Sequence, residues 1–184
     1  PLTRHPTVTQ YTPGASVGEA MDDDAVLNAL ARLVTDRAAP PPAGRAAEVL
    51  AGVDPARIER YVESLLDKRV SELLRAAHRT RSVFPALGPL YRGWLARHPA
   101  PAADDVLPPG VREGLRALPF LASMVDPPWV ADLLRFELYL AASLADQRER
   151  RMASGWAIHR FTGEEPPEAP HRYRFLDRIF AEPA

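Results

Sequence analysis

The 184-residue chain has 46% hydrophobic and 26% charged residues and a formal net charge of -1, a balance that fits one folded domain and excludes global disorder. A net charge this small gives no whole-molecule field toward nucleic acid or an acidic membrane, so any electrostatic recognition must come from local patches. The absence of cysteine excludes disulfides, thiolate metal sites and a cysteine nucleophile.

Lys68 is the one lysine among 23 basic residues. The basic surface is therefore almost all guanidinium, suited to forked contacts with carboxylates or phosphates, although a GC-rich coding bias accounts for it equally well. The amino-terminal residues lack the apolar core of a signal peptide, and no segment has the apolar length needed to span a bilayer. The expectation is a cytoplasmic protein with no membrane partner.

Proline clusters divide the chain into segments. Residues 1–20, rich in Thr, Pro and Gly, read as an extended arm. A helix is expected after Asp22, Asp23 and Asp24, whose carboxylates suit a helix amino end, carrying Val26, Leu27, Leu30, Leu33 and Val34. The run Pro40 to Pro42 breaks it. A short helix over about 45–50 precedes Asp54-Pro55, a cap followed by proline at the first helical position.

The longest predicted helix follows, with Ile58, Val62, Leu65, Leu66, Val70, Leu73, Leu74 and Ala77 on one face and Lys68, Glu72, Arg75 and Arg79 on the other. Phe84-Pro85 should stop or kink it. Leu87, Leu90, Tyr91, Trp94 and Leu95 continue a helical period up to His98-Pro99. Residues 99–109 read as a linker, 111–118 as a short helix ending at Pro119, and 128 to about 150 as the last long helix.

Beyond that helix the period changes to two. GWAIHRF at 155–161 and HRYRF at 171–175 read as aromatic strands around a turn-rich loop. The predicted fold is mainly α: a helical bundle over 21–151 with a small carboxy-terminal β-hairpin-like appendage over 152–184.

No catalytic residue and no metal ligand set is assigned. The five histidines, at 5, 78, 98, 159 and 171, lack helical ligand spacing; His159 and His171 could meet across the hairpin, but a strand pair alone is no ligand set. No nucleophile elbow or glycine-rich phosphate loop is present. The segment 68–81 opposes Lys68, Arg69, Arg75, Arg79 and Arg81 to Glu72 alone. It is either a nucleic-acid contact or a solvated helix face supported by pairs at three- and four-residue spacing. No glycine-containing turn followed by a separate recognition helix accompanies it.

Glu137 falls against a broad apolar stripe that includes Trp129, Leu133, Phe136 and Leu140, where a carboxylate must be paired, most simply with an arginine. On the strands, Trp156, Ile158, Arg160, Arg172, Tyr173, Arg174 and Phe175 offer apolar footing and guanidinium groups for an acidic peptide added at a sheet edge. The alternative is that they pin the appendage to the helical body.

Two segments, RYVESLLDKRVSELLRAAHRTRSVFPALGPLYRGWLARHPAP at 60–101 and LPFLASMVDPPWVADLLRFELYLAAS at 118–143, resemble the helical domain of partner proteins of multinuclear non-heme iron-dependent oxidative enzymes. The resemblance rests on a long helix running into FPALG, a tryptophan helix closing in RHPAP, then LPFLA, PPW-x-ADL and an aromatic-acidic pair. It implies a non-catalytic subunit that forms a heterodimer with a triose-phosphate-isomerase-type barrel enzyme and recruits a ribosomally synthesised precursor peptide for oxidative modification, as in methanobactin and thiaglutamate biosynthesis. The iron cluster then belongs to the enzyme, and this chain carries no cofactor. Trp129, Arg135 and Tyr139 are assigned to the enzyme interface. A DNA-binding regulator using 68–81 is the alternative, and a free-standing enzyme is a third.

Overall fold

A computed structural model describes residues 26, 29, 32, 40–98, 106–176 and 178–184. Of the helix expected after the aspartate run, Val26, Ala29 and Arg32 are helical. Its apolar Leu27, Leu30, Leu33 and Val34, the arm at 1–20 and linker residues 99–105 lie outside the described residues.

The fold is mainly helical with a small antiparallel sheet at the carboxy end. Helix α1 is Arg45–Ala51, α2 Pro55–Ala76, α3 His78–Val83, α4 Leu87–Leu95, α5 Pro109–Met124 and α6 Pro128–Asp146. Strands β1 (Arg150–Trp156), β2 (Glu168–Phe175) and β3 (Ile179–Pro183) follow, with a 3-10 turn at Ile158–Arg160. The expected appendage is present with one strand more than the period-two pattern indicates. Ile158 to Phe161 turn out of the first predicted strand because a 3-10 turn folds Ile158 into the core.

The start of α2 follows its sequence: Asp54 Oδ1 accepts the Ala56 N–H at 3.0 Å beside Pro55. The helix ends earlier than Phe84. Ala77 leaves the helical region at φ -110 and ψ 48, and α3 restarts at His78. The N–H groups of Arg79 and Thr80, which a continuous helix would direct to Arg75 and Ala76, donate to the Glu137 carboxylate on α6.

Helix α5 runs through Pro119 instead of stopping there. Pro119 is exposed, whereas Ala117, Leu118 and Leu121 are buried. Burial of one such leucine contributes about 1.5–3 kcal/mol, and that offsets the hydrogen bond lost at an exposed position. α5 also approaches α2 closely: a Cβ on Gly110 would lie 2.5 Å from the Glu72 carbonyl carbon. Helix α6 stops at Asp146, short of Arg150, because Gln147 adopts a left-handed conformation at φ 57 while its N–H still reaches the Ser143 carbonyl.

α6 joins two apolar cores. Leu134 and Leu138 pack with Leu66, Leu73, Leu87, Tyr91 and Leu121 among the helices. Leu133, Phe136 and Trp129 pack with Met152, Ile158, Tyr173 and Phe175 beneath the sheet. Burial on both sides explains why α6 is apolar around most of its girth. The sheet order is β1-β2-β3 with both pairings antiparallel, so β1 and β3 form its two edges.

Candidate functional site

Alternation along β2 divides the residues expected to meet a peptide. Arg172 and Arg174 point outward and are exposed. Tyr173 and Phe175 point inward, and Phe136 meets both rings edge-on at 5.3 and 5.1 Å. Ile158 is fully buried in the 3-10 turn, Trp156 is half-buried at the end of β1, and Arg160 is exposed. Ile158, Tyr173 and Phe175 therefore join the sheet to the helices and are closed to a docked peptide, which corrects the expectation that they give it apolar footing. Successive side chains of a strand point to opposite faces, and along β2 one set lies against the helices and the other in solvent.

The outward face is rich in guanidinium. Arg151 stands opposite Arg174, and Ala153 opposite Arg172; on the other side Arg174 faces Phe180 and Arg172 faces Glu182. The guanidinium carbons of Arg174 and Arg178 lie 4.5 and 4.9 Å from the centre of the Phe180 ring, within cation–π range. Glu149 accepts from Arg151 Nε at 2.5 Å and lies 4.0 Å from Arg174. A cleft of about 540 Å³ runs over this face, lined by Arg151, Ala153, Arg172, Arg174, Phe180 and Glu182 among others.

The register fixes which backbone groups remain free. Leu176 N–H donates to the Arg178 carbonyl and Ala184 N–H to the Pro170 carbonyl. In an antiparallel ladder directly hydrogen-bonded pairs recur every second residue, so Phe180 and Glu182 turn their backbone groups toward β2. Ile179 and Ala181 then direct theirs to the open side, where Pro183 adds a carbonyl but no N–H. Ile179, Ala181, Glu182 and Pro183 are exposed. The opposite edge is blunted: β1 carries an irregularity between Ser154 and Trp156, where Ser154 Oγ accepts the Trp156 N–H at 3.1 Å.

The residues assigned to an enzyme interface lie on α6 but differ in access. Trp129 is buried, with Nε1 lacking a hydrogen-bond partner among the described residues, and cannot present its ring to a partner in this conformation. Arg135 is part-exposed and pairs with Asp132 at 2.9 Å, while Tyr139, one turn on, is half-buried with its ring edge-on to Phe175. In the basic segment, Lys68, Arg75, Arg79 and Arg81 are exposed. Arg69 turns inward, its Nε 3.2 and 3.0 Å from the two Glu113 oxygens.

Two buried carboxylates have structural partners. Glu137 takes the N–H of Arg79 at 2.8 Å, the N–H and hydroxyl of Thr80 at 2.9 and 2.7 Å, and lies 3.4 Å from His78 Nδ1. The expected arginine is replaced by the amino end of α3, whose free N–H groups suit a carboxylate. Glu113 also accepts from the Tyr91 hydroxyl at 3.0 Å, and burial followed by the Glu113 charge raises the Tyr91 phenol above its ordinary range. Sequence reasoning did not single out Glu113. Its place between Gly110 and Ala117, on the stripe of α5 that faces α2, is the signal that could have found it.

Among the described residues no group of three or more His, Asp or Glu side chains could hold a metal ion. His159 and His171 do meet, with ring centres 4.9 Å apart. Burial, then the neighbouring His171 and Arg160, lowers the His159 imidazole below its ordinary value of 6.5. No described helix is long and apolar enough to cross a membrane. Comparison with protein-family models, curated proteins and solved structures found no match.

Proposed function

We propose that this chain is a cytoplasmic, non-catalytic recognition subunit that recruits a ribosomally synthesised precursor peptide to a multinuclear iron-dependent oxidative enzyme. The observation that supports this reading best is the open β3 edge beside the arginine-rich outer face. The peptide adds as a fourth strand, its backbone pairing with Ile179 and Ala181, while its acidic side chains meet Arg172, Arg174 and Arg178. Phe180, with two guanidinium groups close to its ring, supplies an apolar contact. The barrel enzyme holds the iron cluster and performs the oxidation; part-exposed Arg135 and Tyr139 are offered to it.

The resemblance at 60–101 and 118–143 supports the enzyme half of this reading, and the sheet supports the peptide half. Reconstitution tests them together. An iron enzyme of this class should modify its precursor peptide only when this chain is added, and the three components should co-purify. Equal modification without the chain overturns the reading.

A second reading, a DNA-binding regulator, draws on exposed Lys68, Arg75, Arg79 and Arg81. It requires duplex binding that weakens steeply as salt rises.

A further inference from the structure

His159 in the 3-10 turn and His171 on β2 sit side by side, and their hydrogen bonds assign the same tautomer to both. The Tyr173 hydroxyl donates to the Trp156 carbonyl at 3.1 Å and lies 3.2 Å from His159 Nδ1, so that nitrogen must carry the proton the phenol oxygen accepts. His171 Nδ1 lies 2.8 Å from the Ala169 carbonyl, which can only accept. With Nδ1 of each ring committed as a donor, the lone pair of each imidazole lies on Nε2.

The geometry points to a two-histidine site for a borderline divalent ion such as zinc, bound through Nε2 of His159 and His171 with water at the remaining positions. Two imidazoles on one tetrahedral ion, with metal–nitrogen bonds of about 2.0–2.1 Å, have ring centres about 5 Å apart. The 4.9 Å observed here matches. An Nδ1–H held by a carbonyl or another oxygen is the usual support of a metal-binding histidine, because it fixes the ring and its tautomer. Tyr173 is thus the positioning residue for His159, and the Ala169 carbonyl does the same for His171. Two ligands make a modest site with open positions, consistent with the absence of a third ligand among the described residues. The site stands independently of the peptide reading, since neither imidazole belongs to the β3 edge.

Calorimetric titration of the full chain with zinc at pH 7.5 tests it. One saturable ion per chain is expected, with affinity reduced at least about 10-fold in His159→Ala and in His171→Ala, and by about 10-fold in Tyr173→Phe, where both ligands remain. His159 is exposed, so His159→Ala decides the matter even if the variants at buried His171 and Tyr173 fold poorly. Absence of saturable binding, or unchanged affinity in His159→Ala, which would assign the ion to His5, His78 or His98, overturns the site.

Discussion

Glu137 on α6 binds Thr80 at the start of α3 twice, accepting the backbone N–H at 2.9 Å and the hydroxyl at 2.7 Å. The contact couples the break at Ala77 to the central helix, since without the carboxylate the buried N–H and hydroxyl of Thr80 and the part-buried N–H of Arg79 lose their partner. Glu137→Ala should destabilise the protein by about 3–5 kcal/mol, and Thr80→Val by about 1–2 kcal/mol. Urea unfolding monitored by circular dichroism measures both.

The Arg69–Glu113 pair, closed by the Tyr91 hydroxyl, is a further buried charge cluster. Arg69→Met leaves Glu113 uncompensated and should cost about 3–5 kcal/mol. Adding Glu113→Leu should recover part of that loss, because removing both charges relieves the desolvation that one unpaired charge suffers. A double-mutant cycle in urea reads the coupling.

Close approach of α5 to α2 depends on Gly110. Gly110→Ala sets a Cβ 2.5 Å from the Glu72 carbonyl carbon, a backbone atom that a side-chain rotation cannot move. The expected loss exceeds about 2 kcal/mol, seen as a lower Tm. Gly93→Ala, with nothing within 4 Å of the added carbon, is the neutral or stabilising control within a helix.

Acid should weaken the junction between α6 and β1. Asp146 takes both Arg150 Nη1 and Nη2 at 2.8 Å, and the Arg150 hydrogen bonds, against the opposing effect of burial, lower its carboxyl to about 2. A carboxyl depressed in the folded state adds stability above its unfolded value of 3.8, and that stability is lost as pH falls from about 4 toward 2. Asp146→Asn should flatten the pH dependence of the urea midpoint in that window.

The sequence showed the helical body and the β appendage because apolar spacing and proline punctuation are local signals. Asp54-Pro55 fixed the start of α2 for that reason. The errors have nonlocal causes. A break at Ala77 depends on a carboxylate 58 residues from Arg79, and passage of α5 through Pro119 depends on what Leu121 meets in the core. The period-two aromatics correctly marked a strand at 171–175. Which of its two faces would be buried was fixed only by the docking of Tyr173 and Phe175 on Phe136, and β3, exposed along nearly its whole length, carries no apolar alternation that would announce it.

Binding at the β3 edge is tested most directly by Ala181→Pro, which removes an N–H directed away from β2 while leaving the β2–β3 ladder intact. With a fluorescently labelled, Asp/Glu-rich extended peptide, anisotropy should show saturable binding to the wild-type chain. Ala181→Pro should weaken it at least about 10-fold, or about 1.4 kcal/mol, with an unchanged urea midpoint. Equal affinity in the two proteins, or no binding to the wild type, would contradict recognition by strand addition.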